Sequence, residues 1–333
     1  MPRLATSTKQ HTVVTYSQVA PVLADVAVDT PSIPNDIQSS ILNQIIEREA
    51  PNQRVALSSR FPLFKHPILE VRRAQRKFEA VKNYRSEKLV KQSQKFNAVV
   101  ARHQSVLLRK LGDSDLRLQV QKVQNLRTAA KALDGLVIQP GQTFSLWRHL
   151  GRPTSTRGYV KGMLLSQGRV VEGMGGGLCQ LANFLFWIFL HADIEVVERH
   201  HHSMDVFPDS GRVLPFGSGA TIMYNFIDLK IKNTSDQPLQ LSMWLTDTHL
   251  KGQLLSPAHS VSKYHVGQRY HCFIEKDGSF YRYNQIWREK RQNGILLEEQ
   301  HMVTNLAPVL YSTSRSELEA AGHRVIAFSE LSK

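Results

Sequence analysis

Cys179 stands where a thiol could react. It follows Gly175, Gly176 and Gly177 and opens a long apolar run, LCQLANFLFWIFL. If that run is helical, the sulfur lies in the first turn. Unpaired amide N–H groups and the positive end of the helix dipole favour a thiolate there. The glycines ahead of it permit positive φ and let a substrate's backbone approach without meeting a β-carbon. Downstream, ERHHHSM carries His200, His201 and His202. On a strand, His200 and His202 share one face and His201 takes the other. A thiol at a helix start followed by a strand histidine suits a cysteine hydrolase or acyl transferase. His202, or His200, would take the thiol proton, and a carboxylate would orient the ring. Asp228 is the nearest downstream strand carboxylate and Asp205 the alternative. Gln180 and the Cys179 backbone N–H would hold an oxyanion.

Each of these groups also has a plainer reading. A free cysteine is among the most buried residue types, so Cys179 equally suits inert packing. Three successive histidines suit a polar strand end. His200-x-His202 has a metal-ligand spacing and could join Cys179 and a carboxylate in a zinc site, but alone it is a weak signal. No metal and no cofactor is assigned. Cys179 and Cys272 are the only cysteines, too few for a disulfide framework or a four-thiolate zinc site. One bridge between them stays open, although a cytoplasmic chain would keep both reduced.

The elements that must position these residues can be read around them. The chain has 333 residues, 41% of them hydrophobic, and can bury a substantial core. No stretch reaches the roughly 18 consecutive apolar residues of a membrane span, and the first residues do not read as a secretory signal. The formal charge is +14. Between Arg60 and Gly112 there are 14 Lys or Arg and 3 Glu, while the other 280 residues are close to neutral. An acidic partner belongs at that segment. Nucleic acid is disfavoured, since neither a recognised fold nor aromatic platforms accompany the charge.

Residues 1–59 read as a loosely ordered extension, with a short helix after Asp36 carrying Ile37, Ile41, Ile45 and Ile46. Residues 60–112 read as basic and helical: one helix from Pro67, a second from Ser93 to Gly112. A third, 116–133, places Leu116, Val120, Val123, Leu126, Ala130 and Leu133 on one face and stops at Gly135. The core, 113–258, continues in short strands (VIQPGQTFSLW, GYVKGMLL, RVVEG), the buried helix 179–191, and the strands IEVVERHHHSM, ATIMYNFIDLKIKN and LQLSMWLTD. Residues 259–333 hold a hairpin around Asp277-Gly278 and a short helix, SELEAAG.

NLRTAAKALDGLVIQPGQTFSLWRHLG, GGGLCQLANFLFWIFLHADIEVVERHHHS and GSGATIMYNFIDLKIKN together resemble the VanW family, named for an accessory protein of B-type vancomycin-resistance gene clusters. The similarity extends upstream to RFPLFKHPILEVRRAQRKF and downstream through the hairpin, leaving the first 59 residues outside. The resemblance implies glycopeptide resistance and the cell envelope as context, and a peptidoglycan-related peptide as substrate class; it implies no particular reaction. Gly175, Gly176, Gly177, Cys179, Gln180, His200 and His202 match the family pattern. Where the family usually has Gly-x-Asp-Ala-Thr, this chain has Gly219 in the aspartate's place. An activity that needs that aspartate would be weakened; one that uses Asp228 would not.

The expectation is an α+β protein: an N-terminal helical region, then a mostly antiparallel sheet around a buried central helix, by analogy papain-like or transglutaminase-like. The expected chemistry is thiol-dependent hydrolysis or acyl transfer on a peptide or amide. The alternative is a non-catalytic binding or scaffolding module, docked on an anionic surface through residues 60–112. The expected location is cytoplasmic and peripheral to the membrane.

Overall fold

The computed structural model describes residues 32–49, 70, 71, 74, 75, 89–108, 116–166, 169–201, 203–206, 208, 209 and 213–332. The first basic helix, from Pro67, falls mostly outside these residues, and so does His202.

The molecule is built around α4, Leu178–Phe189. Apolar side chains cover every face of this helix. Leu181, Ala182, Leu185, Phe186 and Phe189 are fully enclosed, so neighbours are needed on all sides. On one side lies a five-stranded antiparallel sheet in the order β1-β3-β9-β10-β2. Its strands are β1 Val90–Lys91, β2 Ala98–Val106, β3 Leu136–Ile138, β9 Leu239–Leu245 and β10 His249–Ser256. Gly252, in the middle of β10, lets the Phe184 ring lie close to the sheet: a β-carbon there would stand 3.0 Å from Phe184 Cζ.

α2, Leu116–Leu133, is the expected third helix, and Gly135 follows it at φ 82°. Its buried face matches the predicted one at Leu126, Ala130 and Leu133 and departs from it at the start of the helix. Val120 is 56% exposed, whereas Gln119, Lys122, Asn125, Leu126, Ala129, Ala130 and Leu133 are buried. Lys122 and Asn125 of that stripe face the glycine turn described below.

The expected helix from Ser93 to Gly112 is corrected by β2. Residues 98–106 run antiparallel to β10 over 249–256, with a bulge at Leu254/Leu255. Val99, Val100 and Val106 are β-branched, and cross-strand pairing decides the conformation where local charge spacing had suggested a helix.

After α2 the chain makes β4, Thr143–Ser145, the short helix α3, Leu146–Leu150, and an isolated hairpin of β5, Lys161–Ser166, and β6, Arg169–Met174. Beyond α4, β7 Ile194–Glu198 and β8 Lys230–Asn233 join β4 in a three-stranded sheet ordered β4-β8-β7. The stretch expected as one strand over ATIMYNFIDLKIKN is broken by a tight turn at Met223–Ile227, where Asn225 takes φ 51°.

The C-terminal part is a long sheet of β11 Ser262–Lys276, β12 Ser279–Gln292, β13 Ile295–Pro308 and β14 Val325–Ala327, in the order β13-β12-β11-β14. The expected Asp277-Gly278 turn joins β11 to β12, with both residues at positive φ. The expected tail helix is α5, Arg315–Ala320, closed by a capping box from Ser314 to Glu317. The short helix near Asp36 is α1, Asn35–Glu49; it lays Ile41 and Ile45 against Ile274, Tyr281, Tyr283 and Leu306 of the long sheet. The class is α+β with mostly antiparallel sheets, as the sequence predicts. Among the described residues no helix is long and apolar enough to cross a membrane.

Candidate functional site

The glycine turn comes first, because it sets the start of α4. Gly175 and Gly177 take φ 75° and 95°, a region closed to most side chains. At Gly176 the close backbone approach is real, but the approaching backbone is the chain's own. A β-carbon at 176 would stand 2.1 Å from the carbonyl carbon of Gly162 in β5. Asn125 of α2 locks this crossing. Its Nδ2 donates to Gly176 O at 2.9 Å and Val160 O at 3.0 Å, and its Oδ1 accepts from Val160 N at 2.8 Å. The buried stem of Lys122 lies on Gly177, where a β-carbon would meet its Cγ at 2.0 Å. The three glycines thus fit the turn into the polar stripe of α2.

Cys179 sits in the first turn of α4, as the sequence predicts, and no side chain caps that turn. Its thiol points at the Ile222 carbonyl, 4.0 Å away. Burial pushes the thiol pKa up, and the contact with the Ile222 carbonyl only partly offsets this. The thiol therefore stays protonated at neutral pH. Gln180 is held elsewhere: its Nε2 donates to Ser105 Oγ and to Val106 O, both at 2.8 Å.

Asp228 is buried and faces α3. It accepts from Ser145 Oγ at 2.6 Å, Trp147 N at 3.1 Å and its neighbour Leu229 N at 2.8 Å. Burial raises its pKa, and these bonds, with Lys230 nearby, offset part of the rise. It thereby fixes the start of α3 against β8. Asp205 lies with Arg282 of the long sheet, 3.2 Å from Nη1.

The carboxylate beside a histidine is Glu198. Its Oε1 lies 3.4 Å from His200 Nε2, and the imidazole is 44% exposed. Glu198 is itself positioned, accepting from Asp228 N at 3.0 Å and from Lys230 Nζ at 2.8 Å. It was not among the expected site residues, although Glu198 ends β7 and His200 follows two residues later, a spacing that in extended chain puts both on one face. Lys230 was visible only through the β7–β8 register, which sets it opposite Glu198.

Cys179 and His200 meet the same dipeptide. Thr221 pairs with His200 in an isolated antiparallel bridge, Thr221 N donating to His200 O at 2.8 Å, and the next residue is Ile222. Such paired residues point their side chains to one face. Thr221 Oγ1 is enclosed and has no hydrogen-bond partner among the described residues. Nothing in the sequence singled it out.

Gly219 leads into this dipeptide. A β-carbon at 219 would stand 2.3 Å from Asn183 Oδ1, which accepts the Ala220 N–H at 2.8 Å. The Asn183 amide therefore fills the place where any side chain at 219 would begin. Arg199 holds the same segment, donating to Gly219 O at 2.8 Å and also to Gly217 O. Burial brings its pKa down to about 10. Among the described residues no cluster of three metal-binding side chains forms.

Comparison with known proteins bears on this same region. The family model described as VanW like protein matches residues 121–255. The vancomycin B-type resistance protein VanW of Enterococcus faecalis is 31% identical over 204 residues, covering 61% of this chain and 74% of that one. This chain belongs to the VanW family. An uncharacterized Bacillus subtilis protein, YoaR, is 32% identical over 115 residues, 34% of this chain and 36% of its own. No solved structure matches, so the papain-like and transglutaminase-like analogy gains no support. The family model spans Asn125, the glycine turn, Cys179, the Glu198–His200 pair and Thr221, and it ends before the long C-terminal sheet.

Proposed function

We propose that this chain is a binding module of the cell envelope. Its ligand is a peptide or amide of peptidoglycan origin, and no covalent step occurs at Cys179. The reading rests on Thr221, whose enclosed hydroxyl lacks a partner among the described residues and shares a face with the exposed His200 imidazole. Leaving such a hydroxyl unpaired costs about 1–3 kcal/mol, which a ligand beside His200 recovers by displacing the atoms that cover it. A hydroxyl and an imidazole each donate and accept, which suits the N–H and C=O groups of a peptide. The other candidate groups are committed: Gln180 to β2, Asp228 to α3, and the glycine turn to Gly162 and Lys122. A part in vancomycin resistance comes from the E. faecalis relative's name, and the envelope setting from what the family resemblance implies; both are part of the proposal.

A second reading has one observation in its favour. Glu198, fixed by Lys230 and the Asp228 N–H, holds His200 as the carboxylate of a catalytic pair would. With Cys179 at the same dipeptide, this is the thiol hydrolase or acyl transferase with Glu198 in the role expected of Asp228.

Calorimetric titration with a synthetic peptidoglycan stem peptide separates the two. Thr221→Val and His200→Ala are each expected to weaken binding about tenfold, while Cys179→Ala changes it less than about twofold. Wild-type affinity in both former variants contradicts the binding site. Peptide cleavage that disappears in Cys179→Ala would establish the thiol reading instead.

A further inference from the structure

Outside the His200–Thr221 site, titratable side chains gather around the guanidinium of Arg282 in β12. Arg282 Nη1 lies 2.8 Å from Asp209 Oδ1 and 3.2 Å from Asp205 Oδ2, and Nη2 pairs with Asp209 as well. The rings of Phe216 and Phe273 stand 4.8 and 5.0 Å from the guanidinium carbon. Arg282 Nε–H donates to His271 Nε2 at 2.9 Å. His323 closes the cluster. Its ring meets that of His271 edge-on at 5.4 Å, and its Nε2 lies 3.9 Å from Asp209 Oδ2. Arg282 and Asp205 are buried, whereas Asp209 and His323 are partly exposed, so protons from solvent reach the cluster.

The bond from Arg282 sets the protonation of His271. A guanidinium only donates, so Nε2 offers its lone pair and the ring proton sits on Nδ1. A second proton on Nε2 would set N–H against N–H and bring two cations to within about 3 Å. His323 is also kept neutral: burial and then the Arg282 charge lower its pKa, and Asp209 offsets only part of this. Tyr311 completes the titratable groups here, donating to Asp205 at 3.4 Å.

Arg282 meets both ends of the stretch between His200 and Thr221. At the first end, Asp205 is seated by Arg282 and by its own N–H, which donates to Pro308 O at 2.9 Å. At the second end, the Phe216 ring covers the guanidinium, and the Phe216 carbonyl accepts from Asn284 Nδ2 at 2.8 Å. Gly217 follows directly and leads into Thr221. One cation thus fastens both ends to the long sheet, and the charge of its neighbours decides how firmly.

We propose that Arg282, His271 and His323 form an acid-sensitive clamp on the His200–Thr221 site: neutral imidazoles keep it closed, and their protonation loosens Asp205, Asp209 and Phe216 from the long sheet. Its effect on a ligand rests on the binding reading above; the clamp itself does not. Proton linkage sets the direction. The unfolded chain takes up protons on these histidines at about pH 6.5, and the folded chain resists doing so. Their contribution to stability is therefore full above that pH and is lost as the pH falls below it.

Nitrogen NMR of the full chain, labelled in its histidine rings and assigned through the backbone, tests the clamp without any variant. At about pH 7 His271 is expected to be neutral with its proton on Nδ1. A proton on Nε2, or an imidazolium at that pH, overturns the proposal. Urea unfolding then measures the linkage. His271→Gln keeps an acceptor beside Arg282 and cannot titrate. Between about pH 8 and about pH 5 the wild-type unfolding constant is expected to rise about tenfold more than that of His271→Gln, with His323→Gln between the two. The same rise in all three proteins overturns the clamp. Titration with the stem peptide reads the site: wild type should lose about tenfold more affinity from about pH 7 to about pH 5 than His271→Gln. Equal losses overturn control of the site. Absence of binding at both pH values would sink the binding reading instead, while the spectra and the unfolding still decide the clamp.

Discussion

At Cys179 two physical tendencies oppose each other. A first-turn position lowers a thiol's pKa through free N–H groups and the helix dipole, and burial raises it. Burial prevails here, and the sulfur becomes a weak donor to the Ile222 carbonyl. The position of the thiol could be read from three glycines and an apolar run. Its protonation could not, because the carbonyl it faces lies more than forty residues away in sequence. Glu198 shows the reverse case: its two-residue spacing from His200 was in plain view. At Gly219 the structure adds a partner that one sequence does not disclose, Asn183. Gly219→Asp should therefore cost about 2 kcal/mol, since it displaces the amide that satisfies the Ala220 N–H. Combined with Asn183→Ala it should cost less than the sum of the two single changes. A double-mutant cycle by urea unfolding measures this coupling.

Among the elements, the glycine turn joins most of the parts. It begins α4, crosses β5 at Gly162 and seats on Asn125 and Lys122 of α2. Gly176→Ala must push two backbones apart and should destabilise the protein by about 3 kcal/mol. Gly278→Ala, at φ 74° with open space around it, should cost about 1 kcal/mol from its backbone alone. Equilibrium denaturation of both variants checks the contrast, and equal costs would mean that the crossing is slack. Local signals were enough for α2, α4, α5 and the Asp277-Gly278 turn. They failed at β2, whose strand conformation depends on β10 some 150 residues later. They also failed for the first half of α2, where apolar spacing points to Val120 while Gln119, Lys122 and Asn125 are buried, the last two against the glycine turn.

At the scale of the molecule, side chains of the long sheet fasten it to the α4 core, and Arg288 is central among them. Arg288 of β12 donates to Ala192 O at 2.8 Å and to Ile194 O at 3.4 Å, under the Tyr264 ring, and Lys290 reaches Asp193 at 2.6 Å. The carbonyls that close the loop after α4 are thus satisfied by side chains of the arm. The α+β class and the antiparallel character were legible, because turn pairs and β-branched runs are local. The division into four sheets was not, since strand order depends on long-range pairing. The charge excess between Arg60 and Gly112 described composition only.

The measurement that tests the central claim most directly is the rate of iodoacetamide alkylation at Cys179 in the native protein, resolved by peptide mass spectrometry from pH 6 to about pH 10. A thiol whose folded pKa is raised remains neutral through the physiological range. The predicted rate is therefore slow at pH 7, slower than that of free cysteine, and climbs only above the pH at which a free cysteine thiol ionises. A fast rate already on a plateau at pH 6 to 7 would mean a thiolate activated by His200, and it would contradict the account of this site as non-catalytic.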